Sequence, residues 1–325
     1  MKKVGFVFSG YASQSVGMGK DLYDASRTVQ ELFEEASSCL DINFVKLCFA
    51  SSDAELSKIE NAYVALYLVS ISITQVLKEA DIIPYKVAGY DVGEYAAVSA
   101  IGALSMPDAL YLLKKYSTFY KNFLDEHVVK GMRVVGLSLP ELEKLCKKVS
   151  KKDQVAVVAV VEGPEVHVIA ATYDAGLMLE EMLEKLSFVK VTEVSLGGGF
   201  HAPLMDAIVK DMKMYLEKVD FKDATIPFVT GVIGEAVYSG ESIRAALMQH
   251  IHAQTQWQKV KEAFADCDYI LEIGPGKMLE SSFASFYPQK KVYSINDLQD
   301  IEHIKHELGT IVSVMPQGDL YDDAI

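Results

Sequence analysis

The chain has 325 residues, half of them apolar and 23% charged. That length suits two domains, or one large domain carrying a smaller insert, and the apolar half excludes a disordered chain. Thirty-one basic residues against 45 acidic ones leave a formal net charge of −14. This argues against nucleic acid as a partner, because duplex-binding surfaces carry a basic excess. The four cysteines, Cys39, Cys48, Cys146 and Cys267, are scattered and form no CxxC pair. Neither a disulfide scaffold nor a zinc site is expected. The apolar start breaks at Ser9-Gly10, too early for a signal peptide. The longest nearly uncharged run, 61–77, is dotted with Ser and Thr, so no membrane insertion is expected. The expectation is a cytoplasmic protein with reduced thiols.

Val4–Phe8 is a short apolar run, the pattern of a buried strand. The loop 10–19 leads into a helix over 20–39, where Leu22, Val29, Leu32, Phe33 and Ala36 fall at helical spacing. Residues 61–79 read as a helix buried on most sides. A second strand over 86–90 breaks at Asp91-Val92-Gly93, and helix follows over 94–101. Ser105 as N-cap and Pro107 in the first turn start a helix over 106–125. Strands over 131–137, 155–161, 166–171 and 189–196 then enclose helices over 140–149 and 175–186. This β-α-β-β-α-β order is that of a ferredoxin-like unit. After Gly197-Gly198-Gly199 come helices over 201–219, 243–252, 259–265 and 277–286, with strands over 227–230, 269–273 and 292–295. Such alternation builds a mostly parallel sheet covered by helices. The expected division is a large α/β subdomain from 1–127 and 198–308, a ferredoxin-like small subdomain from 128–197, and an irregular tail over 309–325.

Charge is uneven. Residues 114–152 carry ten basic and four acidic side chains in a chain that is acidic overall. Lys114, Lys115 and Lys121 on one helix, with Lys144, Lys147, Lys148, Lys151 and Lys152 on and just after the next, would make one basic face. The bland reading is a solvated surface. The sharper one is a dock for an acidic protein or a phosphate-bearing cofactor.

Gly89-Tyr90-Asp91-Val92-Gly93 lies between a strand and a helix, the layout of a nucleophile elbow, G-x-S-x-G. Glycines allow the tight turn. Backbone N–H groups at the helix start would stabilise an oxyanion beside the central side chain. Here that side chain is Asp91.

Four segments in order resemble the malonyl-CoA:acyl carrier protein transacylase family: FVFSGYASQSVGMG near the start, AGYDVGEYAAVSA at the elbow, FHAPLM around His201, and EIGPGKML over 272–279. The resemblance spans about residues 1–308. It implies the acyltransferase fold, with an α/β-hydrolase-like large subdomain and the ferredoxin-like insert. It further implies ping-pong malonyl transfer through a serine ester, with a histidine to activate the serine and an arginine to hold the malonyl carboxylate. No tightly bound cofactor is implied. The ligands would be acyl-CoA or phosphopantetheine, and the partner acyl carrier protein or another acyl-synthase component.

The departures from the family pattern cluster at the reaction centre. Asp91 stands at the nucleophile position and Tyr90 at the preceding histidine. Tyr11 replaces the opening-loop glutamine, whose region with Val92 forms the oxyanion site, and Ala12 replaces its neighbouring glycine. Tyr63 falls on a glutamine, Tyr116 on the arginine, Gly231 on an asparagine and His250 on a glutamine. Of these positions only His201 keeps the family residue. A carboxylate attacking a thioester would give a water-labile mixed anhydride, so impaired catalysis is expected. An ionised Asp91 would also repel malonyl by roughly 4 kcal/mol at ~4 Å and a dielectric of ~20. An Asp91–His201 ion pair is the expected remedy, with phenols from Tyr11, Tyr63, Tyr90 and Tyr116 plugging the former pocket. Two further readings are an altered acyltransferase or thioester hydrolase using His201, and an amine-binding protein with a phenol-lined cage. Lys147, Lys148, Lys151 and Lys152 are the candidate carrier-docking residues.

Overall fold

The computed structural model describes residues 2–194 and 201–309. The expected tail over 309–325, the Gly197–Gly199 turn and the end of the 189–196 strand lie wholly or partly outside them. Among the described residues ten strands form two sheets: β1 (Val4–Phe8), β2 (Lys86–Gly89), β3 (Val129–Val135), β4 (Ala156–Gly163), β5 (Val166–Thr172), β6 (Lys190–Val194), β7 (Phe228–Val229), β8 (Ala236–Val237), β9 (Tyr269–Ile273) and β10 (Lys291–Ile295).

The large sheet runs β10-β9-β1-β2-β7-β8 and is parallel except for the β7–β8 pair. All five residues of β1 and of β9 are buried, as parallel strands covered on both faces require. Chain order reverses around β1, which has β2 on one side and β9 on the other. Phe8 pairs with both Gly89 and Ile273. Three strands therefore end at one level, and the loops they launch meet in the crevice where open α/β sheets bind ligands.

The small sheet, β4-β5-β3-β6, is antiparallel. With the helices Leu139–Val149 and Tyr173–Glu184 it encloses its own core of Met132, Val134, Leu142, Ile169, Leu179 and Leu183. This is the ferredoxin-like topology. Its β4 edge is tied to the main body by backbone. Val161 N–H donates to Thr255 O at 2.8 Å, and Thr255 N–H donates to Ala159 O at 2.8 Å. A covered edge satisfies its ladder groups and fixes the insert across the crevice.

Several elements differ from the sequence reading. The 20–39 helix is two, Lys20–Ala25 and Arg27–Leu40, because Ser26 is extended and caps Val29 N–H with its side chain. The 201–219 helix begins only at Asp206, after a single 3₁₀ turn, Pro203–Met205. Short or polar segments hid the helices Phe44–Phe49, Asp53–Leu56 and Leu298–Leu308 and strand β8. Among the described residues one helix, Ile59–Glu79, is long and apolar enough to cross a membrane, and 67% of its apolar window is buried inside the protein. The two lysine-bearing helices belong to different cores, Met106–Glu126 to the main one and Leu139–Val149 to the insert.

Gly89 ends β2 under the elbow. A Cβ there would lie 2.1 Å from Glu94 N, and one on Gly93 2.4 Å from Phe8 O. Backbone cannot retreat as a side chain can. Gly89→Ala is expected to destabilise the protein by roughly 3 kcal/mol or more. Urea unfolding checks this, with the midpoint falling and the slope unchanged.

Candidate active site

Asp91 has φ 52°, a left-handed conformation rare outside glycine, and is followed directly by the helix Gly93–Ala100. The elbow is therefore built, and it carries a carboxyl group that is 7% exposed. Asp91 Oδ2 accepts the Tyr11 N–H at 3.3 Å, and the Val92 N–H also favours the charged form of this carboxyl. These donors come from the β1 loop and the helix start, the two places expected to hold an oxyanion. The aspartate's own carboxyl takes them.

His201 Nε2 lies 4.0 Å from Asp91 Oδ1. Its Nδ1 donates to the His250 carbonyl at 2.6 Å, so the free lone pair is on Nε2, facing the elbow. His250 performs this orienting contact through its backbone, which any residue type could supply. The spacing would admit an ion pair, but burial acts against it on both sides. Burial raises Asp91 to about 8, against the opposing pull of the Val92 and Tyr11 N–H groups. Burial lowers His201 to about 4. At neutral pH the proton sits on Asp91 and His201 is a neutral acceptor. The expected ion pair is thus a neutral pair.

A second buried pair lies behind the first. Glu94 Oε1 accepts the Gly231 N–H at 2.7 Å, and its Oε2 is 3.3 Å from His250 Nδ1. Burial raises Glu94 to about 8 and lowers His250 well below the usual histidine range. The imidazoles of His201 and His250 pack 4.5 Å apart, and the charge of either disfavours that of the other.

The four phenols are divided. Tyr11 and Tyr90 line a cavity of about 770 Å³ between the insert and the main body, together with Asp91 and His201. Tyr63 and Tyr116 are buried in the main core instead. Their rings run on from Tyr11 as a ladder, Tyr11–Tyr63 at 6.1 Å, Tyr63–Tyr116 at 5.6 Å and Tyr116–Tyr120 at 6.2 Å. The space behind the elbow is plugged, but the outer cleft is not. Two of the four phenols thus face the cleft and two lie in the core.

Sequence reasoning missed the opposite wall. Arg133 Nε donates to Glu162 Oε2 at 2.8 Å, and the Tyr90 hydroxyl meets Glu162 Oε1 at 3.4 Å. Lys261, 6% exposed, lines the same cavity beside Ser281, Ser282 and Ser285. One signal was available: Trp257 and Lys261, four residues apart, share a face of the helix Trp257–Ala263. Lys147, Lys148, Lys151 and Lys152 are all exposed. Lys147 also borders a second cavity of about 340 Å³ that His201, Pro203 and His252 help to line. Among the described residues no group of His, Cys, Asp and Glu could hold a metal.

In the unfolded chain Asp91 loses its proton near 3.8, in the folded one near 8. The folded state binds the extra proton between these values, so this group's stabilising contribution is lost as pH rises from about 4 to about 8. Asp91→Asn does not titrate and tolerates a left-handed backbone. Relative to wild type, the variant's Tm should gain a few degrees between pH 4.5 and pH 8.5 in calorimetry. A constant difference would show that Asp91 ionises normally.

Comparison with known proteins accords with this geometry. The model of the acyl transferase domain family matches residues 5–306. A malonyl CoA-acyl carrier protein transacylase from Bacillus subtilis is 28% identical over 304 residues, covering 93% of this chain and 96% of that protein. The crystal structure of MCAT from Streptococcus pneumoniae is 25% identical, covers 94% of this chain and 100% of that one, and superposes with a TM-score of 0.88. A type II PKS acyl-carrier protein in complex with its malonyl-transacylase gives a TM-score of 0.89 at 24% identity, covering 94% and 99% of the two chains. A family model that matches nearly the whole chain places it: the chain belongs to the acyl transferase domain family.

Proposed function

We propose that this chain is a malonyl-CoA:acyl carrier protein transacylase-like protein of fatty-acid or polyketide synthesis that binds acyl thioesters without storing the acyl group. The observation that carries this reading is the seat of Asp91. Its carboxyl occupies the Tyr11 and Val92 N–H groups that would otherwise receive a tetrahedral oxygen, and it replaces the attacking hydroxyl. The cleft in front of it keeps about 770 Å³, room for a ligand. Residues 1–127 and 198–308 form the acyl-handling body on this reading, and 128–197 the wall that closes the cleft.

Carrier-protein docking is the retained role. The exposed Lys147, Lys148, Lys151 and Lys152 crown the end of one helix of the insert, and Lys147 borders the cavity leading to His201. An acidic carrier would be attracted there despite the chain's net charge of −14. The relative in complex with an acyl-carrier protein supports such a partner. An amine ligand is disfavoured, because Asp91 holds its proton and only two of the four phenols face the cleft.

A second reading has one observation in its favour. Neutral His201 presents Nε2 toward the elbow with Nδ1 fixed. It could draw a proton from water as the water attacks a thioester, giving a free acid and releasing the thiol.

Intact-mass measurement after incubation with malonyl-CoA should show no acyl adduct on the wild-type chain. Asp91→Ser alone should stay orders of magnitude below the transfer rate of an intact transacylase, because Tyr116 still fills the space behind the elbow. A lasting malonyl adduct on wild type would overturn the proposal. Steady thiol release abolished by His201→Ala would make the chain a hydrolase.

Reversing the four lysines to glutamate should weaken carrier-protein binding at least tenfold, with a shallower salt dependence. Unchanged affinity in calorimetric titration would remove the docking surface.

A further inference from the structure

The cleft has two polar ends. One is the elbow, with Asp91 and His201. The other is the wall made by β3, β4 and the helices Trp257–Ala263 and Met278–Phe286. The titratable groups facing the cavity, phenols aside, are Asp91, His201, Arg133, Glu162 and Lys261. Asp91 and His201 are neutral at pH 7. Glu162 is matched by Arg133 at 2.8 Å. Among the described residues that line the cavity, one positive charge is left over, on Lys261.

Lys261 is 6% exposed. Its Nζ meets the Ser282 hydroxyl at 3.4 Å and the Phe286 ring face at 4.8 Å, and no ion pair to it occurs among the described residues. Burial lowers its proton affinity, and the nearby Glu162 charge raises it. An exposed lysine keeps its ammonium in water at little cost, whereas a buried one calls for an anion. The adjoining helix turns Ser281, Ser282 and Ser285 toward the same cavity; the Ser281 hydroxyl donates to Lys277 O at 3.0 Å, which leaves Ser282 and Ser285 to offer hydroxyl donors near the ammonium. A single excess charge with hydroxyl donors matches a carboxylate better than a doubly charged phosphate.

We propose that Lys261, with Ser282 and Ser285, seats a carboxylate on the ligand, so that the cleft selects dicarboxylic acyl thioesters from its outer wall. This rests on reading the cleft as an acyl-thioester site. It places anion recognition on the helix Trp257–Ala263 instead of on the helix that holds Tyr116, where a buried phenol offers no positive charge. Protonated Asp91 removes the repulsion that a carboxylate would otherwise meet at the elbow.

The test compares matched thioesters by calorimetric titration of the full chain: malonyl-CoA against propionyl-CoA, and glutaryl-CoA against valeryl-CoA. Each pair differs by one terminal carboxylate and shares the CoA phosphates. Wild type should prefer the dicarboxylic member roughly tenfold in at least one pair. Lys261→Met, which keeps the apolar stem, should abolish the preference, and Lys261→Arg should retain it. Circular dichroism of both variants confirms folding. Binding of both members of each pair without preference, or a preference that survives Lys261→Met, overturns the assignment and leaves the cleft reading intact. No binding of any thioester overturns both.

Discussion

The site depends on one contact: the Asp91 carboxyl seated at the start of the elbow helix, with Oδ2 accepting the Tyr11 N–H and the Val92 N–H adding to its stabilisation. The fold forces the contact. Gly89 and Gly93 let strand, turn and helix approach within backbone distance, and the turn then leaves the central residue at φ 52° with its side chain over the helix start. A serine at that point would leave the N–H pair for the oxygen of its substrate. Aspartate has one more oxygen, and the nearest donors for it are those same groups. On the function proposed here, replacing the nucleophile and filling the oxyanion site are a single event.

Burial then decides the protonation. Two backbone donors favour the carboxylate, but the apolar surroundings outweigh them, and Asp91 keeps its proton until about pH 8. His201 loses its proton above about 4 for the same reason. The deeper pair, Glu94 and His250, follows the same rule. Four titratable groups thus form a neutral block, which explains how two carboxyl groups coexist with a ladder of buried phenols. The phenols are held well above their usual range by burial first, with their neighbours adding to it.

Much of this frame was legible in the sequence. Alternation of strand and helix gave the parallel sheet, the β-α-β-β-α-β run gave the insert, and Gly89 and Gly93 marked the elbow. Local capping was less visible. Ser26 divides a helix whose apolar spacing runs on unbroken, because its hydroxyl competes for the Val29 N–H. The site was half legible. Asp91, Tyr90, Tyr11 and His201 could be placed because each adjoins a strand end or a motif. Tyr63 and Tyr116 could not be assigned to core or cleft, since a phenol fits either. Arg133 and Glu162 meet on the insert's own sheet, and Lys261, 128 positions from Arg133, reaches the same cavity where β4 docks against Thr255. Arg133 was hidden further by its place in a basic stretch that reads as surface.

The charge of the cleft is separable from that of the surface. The chain carries −14 overall, mostly on exposed side chains. Water and salt screen those charges within about 8 Å at physiological ionic strength. Inside the cleft, low polarizability leaves the Lys261 ammonium far less screened, and the neutral elbow offers nothing to cancel it. An anion approaching from solution therefore meets weak, screened repulsion outside and a concentrated positive charge within. Discrimination by charge then falls on the wall of the cleft and not on its floor, where the plug of tyrosines and the protonated carboxyl read only shape.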